Sequence, residues 1–194
     1  MKTKNLFSFT ARWLLVPIVL LTLGVGSAWG TVLFHETFGN NSNSARAWDD
    51  SCKNQSGVSG VYSSANYTIS NAKQSKNTMG STQSGLVSNQ GVTGSFIVGP
   101  LDASSYTSLG VSNYWGISAS PWHSSSLLKC YYSTNGSSYT ELSRTDSNGN
   151  PSTGVSSNSN YVQATYSLPV AAQVSTLYLK FEFYPILGTY LNFK

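Results

Sequence analysis

The stretch STLYLKFEFYP, residues 175–185, decides the fold. Leu177, Leu179, Phe181 and Phe183 fall on one side of an extended chain, and Tyr178, Lys180, Glu182 and Tyr184 on the other. Successive side chains of an extended backbone point to opposite faces, so a strict period of two marks an antiparallel strand buried on one face only. Pro185 has no N–H to give to a ladder and ends the strand.

The same pattern recurs along the chain. VLFHETF, residues 32–38, alternates Val32, Phe34, Glu36 and Phe38 against Leu33, His35 and Thr37. Further strands are expected at 60–63, 67–70, 95–101, 108–118, 126–133, 138–143, 161–168 and 189–193. Turn clusters separate them, among them NGSS, TDSNGNPSTG and the Asn/Ser-rich run at 156–160. Beyond the N-terminal segment the chain is rich in Ser, Thr, Asn, Gly and Tyr and poor in Ala, Glu and Lys, which disfavours helix and favours strand and turn. The expected fold is all-β, an antiparallel jelly-roll β-sandwich of roughly 8–10 strands, with neither repeat nor linker dividing it.

Residues 131–143, YYSTNGSSYTELS, set an Asn-Gly pair between two strand patterns. Asn and Gly both tolerate positive φ, so the pair signals a hairpin, and the spacing leaves its turn type open. Asn135 also fits the N-x-S/T glycan-acceptor rule, as do Asn40, Asn54 and Asn66, a number that composition alone would produce.

The N-terminus reads as an export signal. Lys2, Lys4 and Arg12 precede an apolar run at 13–25, and the small residues Ala28 and Gly30 suit cleavage after position 30. The apolar core is shorter than the roughly 20 residues of a spanning helix, and Pro17 interrupts it. Cleavage would leave 164 residues, enough for one domain with its own core, at 31–194. The formal charge of +4 then falls to +1, since three of the eleven bases leave and all seven acids stay. So small a charge gives no electrostatic case for nucleic acid or for an anionic membrane, and no membrane insertion is expected once the signal is gone. The expected location is extracellular or at the cell surface, with the periplasm as the alternative.

Two cysteines, Cys52 and Cys130, lie beyond the signal. An oxidising compartment permits one bridge between them, which would contribute roughly 4–5 kcal/mol in the chain-entropy model. Cys130 alternates with Leu128 and Tyr132, so it reads equally as a buried thiol on the inner face of a strand.

Catalytic signals are sparse. The acids are Glu36, Asp49, Asp50, Asp102, Glu141, Asp146 and Glu182, and nothing in the sequence selects a glycosidase pair among them. There is no GxSxG elbow, and the only histidines are His35 and His123, so no enzyme is expected. Asp49 and Asp50 adjoin a polar loop and could offer oxygens to calcium, although adjacent acids in such loops are more often simply solvated. Ligand candidates are aromatic, because sugar recognition sets flat rings beside groups that bond hydroxyls. Trp48, Trp122, His123 and Tyr131 fit that role, while Trp115, inside a strand, suits core packing better.

The order of segments carries a resemblance. LFHETFG is followed by a polar insertion with Trp48, then FIVGPLDASSYTSLGVSNYW, LKCYYSTNGSSYTEL, YVQATYSLP and TLYLKFEFY. This resembles the secreted jelly-roll β-sandwich modules of Bacteroidota-type bacteria, related in outline to choice-of-anchor, cleaved-adhesin and MAM-like domains. Ser133, Thr134, Gly136, Tyr139 and Leu142 match that group's pattern Ser-Thr-x-Gly-x-x-Tyr/Trp-x-x-Leu. The resemblance implies a noncatalytic module for adhesion or contact with surface, dietary or host glycans or with other surface proteins. The alternative is a spacer with no ligand of its own. It implies no cofactor other than a structural calcium held by the first-strand glutamate and a last-strand acid. Glu36 supplies the first, but Asn192 stands where the acid would, which weakens that site. The absence of a sorting tail or second domain after Lys194 raises the expectation of a truncated or partial chain.

Overall fold

The structure is a computed structural model that describes residues 30–39, 41, 46–49, 52, 58–75, 85–88, 91–117, 127–149, 161–184 and 191–193. The chain divides into two compact units, Met1–Val32 and Leu33–Lys194. In the first only residues 30–32 are described, so the segment read as an export signal lies outside the described residues. Among the described residues, no helix is long and apolar enough to cross a membrane.

The second unit is all-β and antiparallel. Its described strands are β1 (Arg46–Ala47), β2 (Tyr67–Ser70), β3 (Ala72–Gln74), β4 (Leu86–Ser88), β5 (Gly94–Leu101), β6 (Gly110–Ile117), β7 (Leu127–Ser133), β8 (Thr140–Leu142), β9 (Val162–Ser167), β10 (Leu177–Tyr184) and β11 (Leu191–Phe193). They form a six-stranded sheet in the order β1-β3-β4-β11-β6-β9 and a five-stranded sheet in the order β2-β5-β10-β7-β8.

β10 is the centre of the five-stranded sheet, paired with β5 on one edge and β7 on the other. The alternation read from the sequence holds for most of β10: Leu177, Phe181 and Phe183 are buried and Tyr178, Lys180, Glu182 and Tyr184 partly open, while Leu179, beside the register shift, is only partly buried against the core. β5 adds Phe96, Val98 and Leu101 to the inner face, and β7 adds Cys130. The six-stranded sheet brings Leu86, Trp115, Ala164 and Tyr166 to the same apolar cluster, so both sheets share one core. Phe183 needs room that only glycine leaves: a Cβ at Gly94, its partner on β5, would collide with the Phe183 ring and approach Ser88 Cβ to 2.9 Å. A hydrogen bond from Ser88 Oγ on β4 to the Phe183 carbonyl, 3.4 Å, joins the two sheets at this point.

Two expectations fail. The 32–38 segment makes one isolated bridge, His35 to Ser59, rather than a strand. Its side chains still pack: Phe34 and Phe38 lie against Phe96 at ring-centroid distances of 6.3 and 5.3 Å. The backbone turns away because Phe38 and Gly39 both adopt positive φ, 55° and 77°. Residues 60–63 form a bend and turn, anchored when the Tyr62 N–H bonds the Leu33 carbonyl at 2.8 Å. In the other direction, β1, β3 and β4 carry no readable alternation. β4 is buried at every position, and Gln74 of β3 is a polar residue wholly inside. Gln74 is tolerated because its amide is satisfied, donating to the Phe38 carbonyl at 2.7 Å and accepting from Arg46 Nε at 2.7 Å.

Candidate functional site

The hairpin that joins β7 to β8 is built locally. Asn135 Oδ1 accepts from the N–H groups of Ser137 and Ser138, both at 2.9 Å, while Ser133 Oγ accepts from the Gly136 N–H at 3.0 Å. Side chains that bond nearby backbone in this way stabilise a turn without cross-strand help. Gly136 has φ of 73°, but Asn135 is not among the positive-φ residues, so this is a longer loop over 134–139 and not a two-residue type I′ turn. The loop folds back on β10: a Cβ on Gly136 would lie 3.0 Å from Tyr178 Cζ, and one on Gly99 of β5 would lie 2.7 Å from Tyr178 Cδ1. Tyr178 is thus held between the hairpin and β5. The register between β5 and β10 shifts at the same place, between Leu177 and Leu179.

Beside Tyr178 the outer face of the five-stranded sheet gathers aromatic and charged side chains. Lys180 Nζ lies 4.5 Å from the Tyr131 ring centroid and 4.7 Å from that of Tyr139. It also pairs with Glu182 Oε1 at 2.9 Å. One strand over, Lys129 and Glu141 form a second pair at 2.8 Å. The register explains the assembly, since Lys180 stands opposite Tyr131 and Glu182 opposite Lys129. Two rings and a carboxylate around one ammonium fix the lysine, and the lysine in turn fixes the rings.

The titration behaviour follows from this packing. Burial pushes the Tyr131 hydroxyl up, and its hydrogen bond to Glu182 and the nearby carboxylates push it further. Burial opposes ionisation of Glu182, but hydrogen bonds from Lys180 and Tyr131 and the charges of Lys180 and Lys129 outweigh it, so its carboxyl titrates below the ordinary value. At neutral pH Tyr131 is therefore a neutral phenol and Glu182 a carboxylate.

The described residues among those singled out in the sequence are dispersed. Tyr131 is in this cluster, on the face opposite Cys130 as its strand position required. Trp48 is half-buried and packs edge-on against Phe38 and Tyr67, at centroid distances of 6.1 and 6.2 Å, as a flank of the core. Trp122 and His123 lie outside the described residues. Trp115 is in the core, with the Arg144 guanidinium 5.7 Å from its ring centroid.

Glu36 commits one carboxylate oxygen to the Phe38 N–H, 2.6 Å away. Asn192 sits in β11 opposite Val87 and Gly116, and its side chain is outside the described set. Among the described residues no three His, Cys, Asp or Glu side chains come together as a metal group.

Cys52 and Cys130 are both free and both buried, in different surroundings. Cys52 Sγ lies 3.4 Å from the Ala47 carbonyl and from Gln74 Oε1, beside β1 and β3. Cys130 faces the core from the middle of β7, where burial pushes its thiol up. That is the buried-thiol alternative, and it makes Cys130 unreactive.

Lys180, Tyr139, Glu182 and Lys129 were not singled out as site residues. Their signal was present in the outward set of β10, but the cluster needs the cross-strand register, which sequence periodicity does not supply. Compared with known protein families and with curated proteins, the chain matches none.

Proposed function

We propose that the protein is a noncatalytic, exported contact module, a jelly-roll β-sandwich that meets hydroxyl-rich glycans on the outer face of its five-stranded sheet. The observation that carries this reading is the fixed group Tyr131, Lys180, Tyr139 and Glu182. Rings held in place beside hydrogen-bonding groups offer a sugar apolar faces and polar partners at little ordering cost. The noncatalytic part is supported by the acids. Each of the six described carboxylates is engaged locally: Glu36 with Phe38, Asp49 with Cys52, Asp102 with Ser104, Glu141 with Lys129, Asp146 with Thr165 and Glu182 with Lys180.

The spacer alternative draws on the same face, because its ion pairs already satisfy one another. A polysaccharide pull-down separates the two readings. The purified protein, with and without a calcium chelator, should be retained on at least one glycan, and Lys180→Met together with Tyr139→Ala should release it. Retention on no glycan leaves the spacer reading.

A further inference from the structure

Asn113 and Tyr166 place three hydrogen-bonding atoms inside the core that meet no partner among the described residues. Asn113 is on the inward face of β6, between Val111 and Trp115, and is 4 % exposed. Among the described residues, neither its Nδ2 nor its Oδ1 has a hydrogen-bond partner. Tyr166 on the adjacent β9 is 3 % exposed, and its hydroxyl is likewise unpartnered.

The register makes the two residues diagonal neighbours on one face, since Asn113 stands opposite Ala164 and Tyr166 opposite Val111. Ala164 is fully buried and brings only a methyl group, with no hydrogen-bonding atom, to the position opposite Asn113. Cys130 is near enough to Tyr166 to act on its ionisation. Burial first, and then the thiol and the carboxylates of Asp146 and Glu141, push the hydroxyl up despite Arg144, so it stays neutral.

Amides and hydroxyls taken out of water with nothing in return destabilise a fold, and native interiors meet such groups with ordered solvent. An asparagine amide supplies donors and an acceptor, and a phenol supplies one of each. We infer that Asn113 and Tyr166 hold ordered water inside the core, between the two sheets, as an internal solvent site. The set is neutral, which fits water in preference to a metal ion or an anion. The inference is independent of the proposed glycan contact on the opposite side of the five-stranded sheet.

A crystal structure that resolves solvent tests it. A density peak within hydrogen-bond reach of the Asn113 amide is expected in the native protein and should vanish in Asn113→Leu. In solution, water relaxation dispersion should count fewer long-lived internal waters in Asn113→Leu than in the native chain. A native map with no solvent at the amide, or an unchanged water count in the folded variant, overturns the inference. Should Asn113→Leu fail to fold, the native map decides alone.

Discussion

β10 and the 33–38 segment carry the same alternating pattern and end in different states. β10 is bonded along both edges, to β5 and to β7. The 33–38 segment makes one bridge, with reciprocal His35–Ser59 bonds of 2.9 Å, and then turns left-handed at Phe38. Glu36 bonds the Phe38 N–H from two residues back, giving the backbone a local partner in place of a ladder. Alternation places Phe34 and Phe38 inward in one segment and Leu177, Phe181 and Phe183 inward in the other, but in the first segment Leu33 also packs on the core and Val32 is exposed. Whether the backbone joins a sheet depends on a free neighbouring edge, which alternation does not encode.

Phe181→Ala removes a 5 % exposed ring from the shared core beneath β10 and should lower stability by about 3–5 kcal/mol in chemical denaturation. An unchanged denaturation midpoint would mean that the inner face of β10 is misassigned.

Asp146 tests a different tie, between the chain after β8 and β9. It accepts from the Thr165 N–H at 2.7 Å and from Arg144 and Asn148. The Arg144 hydrogen bond foremost, with the bonds from Thr165 and Asn148, holds its carboxyl well below the ordinary 3.8, against some opposing burial. A depressed folded-state value means the contribution is present above the unfolded value and is lost as pH falls below about 4. Asp146→Asn should therefore cost about 2 kcal/mol at neutral pH and flatten the acid limb of the stability profile. An acid limb identical to that of the native protein would contradict this.

The smallest effect is expected at the first segment itself. Glu36→Ala should cost about 1 kcal/mol and act locally. Hydrogen exchange should quicken at Phe38 while the β10 amides, protected on both edges, keep their native rates. Equal quickening in both places would show that 33–38 and β10 unfold as one unit.

Much of the fold was legible in the sequence. β2 falls on its expected residues, and β5, β6, β7, β8, β9 and β11 fall within two residues or so of theirs, because each is either alternating or bounded by turn residues. β1, β3 and β4 were not legible: two or three residues show no period, and Gln74 is buried by hydrogen bonds rather than by apolarity. Less of the candidate site was legible. Tyr131 could be placed on the outer face from its neighbour Cys130. Its partners Lys180 and Tyr139, however, come from different strands and a loop, and only the pairing of β10 with β7 and the fold-back of the 134–139 loop bring them together.

We propose that the outer face of the five-stranded sheet is the contact surface. Backbone and side-chain NMR shifts, followed while a glycan retained in the pull-down is titrated in, address it most directly. The proposal predicts that shifts concentrate at Tyr131, Tyr139, Lys180 and Glu182, and that Tyr139→Ala weakens binding about tenfold, the equivalent of ~1.4 kcal/mol. Shifts confined to the six-stranded sheet, or equal affinity in Tyr139→Ala, would contradict it.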